Sequence, residues 1–212
     1  LDYLLNDKVK NYYIIYILSF CFLSNISWGQ NILEEKLIYR GNLAFHQESD
    51  EPVTGIVISK YETGETKEKG QYIDGLREFE WKEFHQNGTV KSTINYKNGF
   101  KEGPFEIYFE DGKIKALGNY IKGLEDGNWQ EFSNEGNFLY IGNYNQGNLN
   151  GRWQTFHLNG RLFSMGNFIE GRKEGLWEYF NEQGELFKIQ IFENDILIKC
   201  EGKCPVKEED SN

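Results

Sequence analysis

Beyond residue 50 the apolar, polar and glycine positions recur with a single period. Gly64, Gly88, Gly112, Gly136, Gly160 and Gly184 lie 24 residues apart with no insertion between them. Eight positions after each stands Tyr72, Tyr96, Tyr120, Tyr144, Phe168 or Phe192, and seven before stands Val57, Trp81, Phe105, Trp129, Trp153 or Trp177. A further column, four before the glycine, holds Lys60, Phe84, Tyr108, Phe132, Phe156 and Phe180. Short stretches rich in aromatic and β-branched residues, bounded by Asp-Gly or Asn-Gly pairs, are the signature of β-hairpins. The second turn of each unit falls at positions such as Lys122-Gly123. The pattern predicts an all-β protein, an elongated antiparallel sheet of six stacked β-hairpin repeats of 24 residues. The units run 51–74, 75–98, 99–122, 123–146, 147–170 and 171–194. One hairpin cannot bury its own apolar face, so neighbours must stack. Twelve strands at a spacing of about 4.8 Å would span roughly 55 Å.

Trp and Phe columns three residues apart fall on opposite faces of a regular strand. Either aromatics cover both faces in part, or a bulge shifts the register once per unit. Gly70, Gly118, Gly142 and Gly166 stand two before the Tyr/Phe column, where bare backbone has room for a ring. Packing between units is the simplest use of such columns; a ligand-stacking groove is the other.

The ends depart from the pattern. Unit one places Val57 and Lys60 in aromatic slots. After Phe192 the glycine slot becomes Asp195, and Ile196 to Cys200 reads as a terminal strand. Residues 30–50 read as an N-terminal cap with one leading strand over 37–45, and 195–212 as a C-terminal cap with a charged tail. Degenerate end units suit a sheet that must not grow at its edges.

In front of the array, Lys8 and Lys10 precede an almost uncharged run, Tyr12 to Leu23, too short for a membrane span of about 20 residues. Ser27-Trp28-Gly29 supplies small residues for cleavage before Gln30. Residues 1–29 thus read as a secretory signal peptide, or, left uncleaved, as an N-terminal anchor. The residue before Cys21 is Phe20, not the small residue of a lipid-attachment site. Cleavage leaves Cys200 and Cys204, in Cys-Glu-Gly-Lys-Cys; in an oxidising compartment they are a candidate disulfide, otherwise two thiols.

Composition adds exclusions. The chain has 212 residues, 23 glycines, 3 prolines, 16% aromatics and a formal charge of −10. The acidic balance disfavours nucleic acid, whose binding needs Lys and Arg to displace counterions, and less strongly disfavours anionic membrane lipid. No nucleophile elbow, phosphate loop or His-Glu-x-x-His pattern occurs. His46, His85 and His157 read as solvated, the last two lying three units apart. Glu110-Asp111 and Glu125-Asp126 read as solvated turn residues. The expectation is therefore no catalytic residue, no metal and no cofactor.

Gly123, Gly127, Trp129, Phe132, Gly136, Gly142, Tyr144 and Gly147 carry one whole unit, and on these positions the sequence resembles MORN repeats. More specifically it resembles the bacterial MORN-variant repeats of the YwqK-like family, with Phe79 standing where the pattern has Gly. The resemblance implies stacked antiparallel hairpins, and some such proteins are labelled antitoxins. The functional expectation is an exported, non-enzymatic scaffold presenting a long β-surface to an unknown protein partner in the cell envelope. Trp129, Phe132, Trp153 and Phe156 are its candidate partner-binding residues, because aromatics are enriched at interface hot spots. A glycan- or cell-wall-binding module, or an antitoxin-like partner, is the alternative.

Overall fold

The computed structural model describes residues 31–204; the signal-peptide reading of 1–29 and the tail after 204 lie outside the described residues. A single 16-stranded sheet runs through the array, antiparallel from Gly55 onward between consecutive long strands, while the short strands Leu124–Glu125 and Asn148–Leu149 pair back on the preceding strand together with the strand that follows each. All-β architecture built from stacked hairpins is what the sequence pattern predicts.

Each unit turns twice, by different chemistry. Within a hairpin, a loop such as His85–Thr89 closes with the His85 N–H donating to the Thr89 carbonyl and the Gly88 N–H to the His85 carbonyl. Between units, two residues suffice, both with positive φ: Asn98 and Gly99 at 50° and 78°, Lys122 and Gly123 at 51° and 85°. That geometry is the type I′ turn, whose twist matches the flanking strands. Its amides are bonded to the start of the unit that the turn closes. The Lys122 N–H donates to Glu102 Oε2 at 2.7 Å and the Asn194 N–H to Glu174 Oε2 at 2.9 Å. The Gly123 N–H donates to the Lys101 carbonyl at 2.8 Å.

A register shift falls once per hairpin, between Glu131 and Phe132 in the fourth unit and at the matching place in every other. The extra residue lies on the returning strand, Leu139 in this unit. Phe132 therefore still points away from Trp129 and meets Phe138 at 4.8 Å between ring centres. The first reading of the paired columns holds, with aromatics on both faces; the bulge is present but does not bring the two columns to one face, and a second register shift falls between neighbouring units at Lys69/Gln71, Ile94/Tyr96 and Met165/Asn167.

Residues 37–45 are not one leading strand. Leu37–Arg40 and Leu43–His46 form a separate two-stranded hairpin around Gly41, whose φ of 60° reverses the chain. Leu37, Ala44 and Val53 pack with Val57, Tyr72 and Trp81 over the first unit. Ile32–Leu33 pairs parallel with Val57 and Ile58, closing that edge of the sheet. At the far end Ile196–Gly202 is the last strand, and Cys200 and Cys204 form a disulfide beyond which the description stops. The Lys203 N–H, folded back, donates to the Phe187 carbonyl.

Candidate functional site

The chemistry of this chain is concentrated in its aromatic face. In four units the Trp indole lies flat on a glycine of the preceding strand: Trp81 on Gly70, Trp129 on Gly118, Trp153 on Gly142 and Trp177 on Gly166. A Cβ at Gly142 would sit 1.8 Å from the Trp153 ring, and one at Gly166 would sit 2.2 Å from Trp177. Where unit three has the smaller Phe105, the facing position is Ile94, which packs against it. Ring size and backbone clearance thus vary together. The Tyr/Phe column meets the Trp column edge to face, Tyr120 to Trp129 at 5.3 Å and 90°, Phe168 to Trp177 at 5.1 Å and 81°. Such edge contacts place the positive ring edge on the negative face.

The four candidate partner-binding residues divide between two places. Trp129 is buried, 8% exposed, with Tyr120 and Tyr144 on either side. Trp153 is half-buried and stacks on Tyr140 at 4.9 Å, with an interplanar angle of 17°. Burial also pushes the Tyr140 phenol up to about 12. Phe132 and Phe156 are half-buried on the other face, joined through Phe138 at 4.8 and 5.7 Å. Trp129 and Trp153 connect through Tyr144, and Phe132 and Phe156 connect through Phe138, but the two pairs face away from each other.

Cations top the aromatic face at one repeated position. The Arg77 guanidinium lies 3.9 Å from the Trp81 ring centre and forms a two-pronged pair with Glu68 at 2.7 and 2.9 Å. Lys101 covers Tyr120 at 4.6 Å, and Lys173 covers Trp177 at 4.5 Å. Sequence reasoning missed this column. Its signal was present, a basic residue two after the inter-unit glycine, but only three of the units carry it.

The histidines are not simply solvated. His85 Nε2 bonds the Tyr108 carbonyl at 3.1 Å and His157 Nε2 the Phe180 carbonyl at 2.8 Å, each reaching the next unit. Tyr61 Oη donates to the Phe84 carbonyl at 2.7 Å from the same slot. In the fourth unit that slot holds Ser133, whose hydroxyl is too short to reach across and has no protein partner among the described residues. Ser133→His is expected to supply the missing bond to the Phe156 carbonyl and raise stability by about 1 kcal/mol, read as a higher urea midpoint.

The acidic turn residues also bond locally. Asp111 Oδ1 accepts from the Lys113 N–H at 3.1 Å and Asp126 Oδ2 from the Gln146 N–H at 3.5 Å. Among the described residues no three His, Cys, Asp or Glu side chains converge as a metal site would require.

Residues 77–98 and 101–122, nearly all of units two and three, match the family model described as MORN repeat variant. The two matches support a MORN-repeat protein. No curated protein matches the chain. Among solved structures it is similar to one titled "Crystal structure of GtfA/B complex bound to UDP and GlcNAc", at 10% identity and a TM-score of 0.22. That alignment covers 62% of this chain and 23% of the other, so the chain spans about a quarter of that relative, and a likeness so slight carries no argument.

Proposed function

We propose that the chain is an exported, non-enzymatic scaffold that offers its long sheet to a protein partner in the cell envelope, and that its array is of the YwqK-like variant of the repeat. A repeat scaffold is compatible with protein binding. One observation carries the partner reading. Along the border of the inter-unit turns, Phe100, Ile121 and Leu124 are 55%, 46% and 48% exposed, and Leu124 pairs directly with Ile121. Phe100 and Leu124 rest beside the turn glycines of the following unit, Gly123 and Gly147, and still leave about half of their surface exposed. Neighbouring exposed apolar side chains mark interaction surfaces more often than scattered ones do. The Cys200–Cys204 disulfide supports export, because such bonds persist in oxidising compartments.

The test uses the full chain carrying a C-terminal tag in its native cell. The mature protein is expected in the envelope fraction, beginning at Gln30, with a crosslinked protein that Phe100→Glu plus Leu124→Glu releases without changing thermal denaturation. An intact N-terminus in the cytoplasmic fraction overturns export, and capture of a toxin there makes the antitoxin reading the better one. Retention on purified wall polysaccharide with no crosslinked protein replaces the partner reading with the glycan one.

A further inference from the structure

The cation column is broken at two consecutive units, and the break has a chemical sense. Position 77 of unit two is Arg, positions 101 and 173 of units three and six are Lys, and each places its charge over rings of its own unit. Arg77 also lies 5.4 Å from Tyr96, and Lys173 lies 5.1 Å from Phe192. The same position in unit five is Leu149, which is neutral. In unit four it is Glu125, opposite in charge to what its neighbours put there.

Glu125 pairs across the sheet with Tyr120 and occupies the position from which Arg77 and Lys173 reach the Trp rings of units two and six; the corresponding rings of unit four, Trp129 and Tyr144, have centres 5.5 Å apart. It is half-buried, and its Oε2 reaches to the inter-unit turn at Gly147. The ion pairs among the described residues do not include Glu125. Nor does a described cation lie over Trp129 or Tyr144. A carboxylate at this position supplies no cation to the rings of its unit and stands ready to pair with one that does.

We propose that unit four takes that cation from outside: an arginine or lysine side chain of a partner protein, seated against Tyr144 over buried Trp129 and paired with Glu125. Three units show how the chain fills the same slot from within. The chain's charge of −10 favours a basic partner surface. The inference rests on the scaffold reading and specifies one contact of it.

The test titrates the full chain with hexa-arginine peptide, at fixed ionic strength and with hexaglutamate as control, following the aromatic resonances of Tyr144 and Trp129. Those resonances are expected to shift with hexa-arginine alone. Glu125→Lys, which copies units three and six, is expected to weaken binding at least tenfold. Glu170→Lys, the same charge change on an exposed turn, is expected to leave it within twofold. Lys173→Glu, which opens the slot of unit six, is expected to add a second site at Trp177. Absence of any shift, or equal loss in Glu125→Lys and Glu170→Lys, overturns the slot. A partner crosslinked equally by wild type and Glu125→Lys overturns it too, while leaving the scaffold reading in place.

Discussion

Gly166→Ile is expected to destabilise the protein by about 3 kcal/mol or more, and adding Trp177→Phe to return most of that loss. The first half follows from clearance. A mere Cβ at Gly166 falls 2.2 Å from Cδ2 and 2.6 Å from Cγ of Trp177, and because rotation about χ2 leaves Cγ in place, only a change of χ1 that swings the whole ring away relieves the clash. The indole, 3% exposed, must leave the face it covers. Overpacking of this kind costs roughly 1–3 kcal/mol, and expelling a buried aromatic costs roughly 3–5 kcal/mol. The second half follows from unit three, where Ile94 and Phe105 already occupy the same pair of positions. Urea denaturation followed by tryptophan fluorescence checks the single variant, and circular dichroism checks both, since the double keeps Trp81, Trp129 and Trp153 but lacks the local reporter Trp177. A double variant no more stable than the single would mean that ring and facing residue are not coupled.

Phe79→Gly is expected to do the opposite and stabilise the chain by about 1 kcal/mol, with an unchanged denaturant slope. Phe79 has a φ of 60° at the position where Gly103, Gly127, Gly151 and Gly175 have 89°, 76°, 86° and 70°. A bulky L-residue held there costs roughly 1–2 kcal/mol. Its ring is 57% exposed, so little burial offsets the strain. With Ile56, Gln71 and Phe84 it lines an open depression of about 410 Å³. A lower urea midpoint for Phe79→Gly would show that contacts of the ring in that depression outweigh the backbone cost.

Period and hairpins were legible because each depends on local chemistry. Asp-Gly and Asn-Gly announce turns, and the interval between them sets strand length. Even the use of Gly118 and Gly142 as seats for rings could be read from their place two before the Tyr/Phe column. What strand alternation left open was the side of the sheet on which Phe132 stands, because the extra residue is Leu139 on the opposite strand and carries no mark of its own. The histidines were misread for a similar reason. His85 and His157 bond carbonyls 23 residues away, and a carbonyl has no residue type to be recognised by. The N-terminal hairpin escaped notice because Gly41-Asn42 sits inside a run that alternates well enough to pass for one strand. Its tie to the array is made by backbone, the Ala44 N–H donating to the Gly75 carbonyl. The partner-binding candidates were chosen by residue type alone, and type does not separate Trp129, buried between tyrosines, from Phe132 on the other face.

The bonds that join units all have the same reach. His85 to Tyr108, His157 to Phe180 and the Gly123 amide to the Lys101 carbonyl each bridge to the adjoining unit and go no further, while Glu102 to Lys122 and Glu174 to Asn194 close within a unit. Loss or duplication of one whole unit in frame therefore leaves most of these bonding groups beside an equivalent neighbour, the exception being the boundary of units two and three, where Ile94 needs Phe105 and not a Trp opposite it. Copy number becomes a heritable variable almost independent of foldability. A gene of this kind can lengthen or shorten its product by slipped recombination, provided that the described end hairpin and last strand stay single and that Ile94 keeps Phe105 as its neighbour.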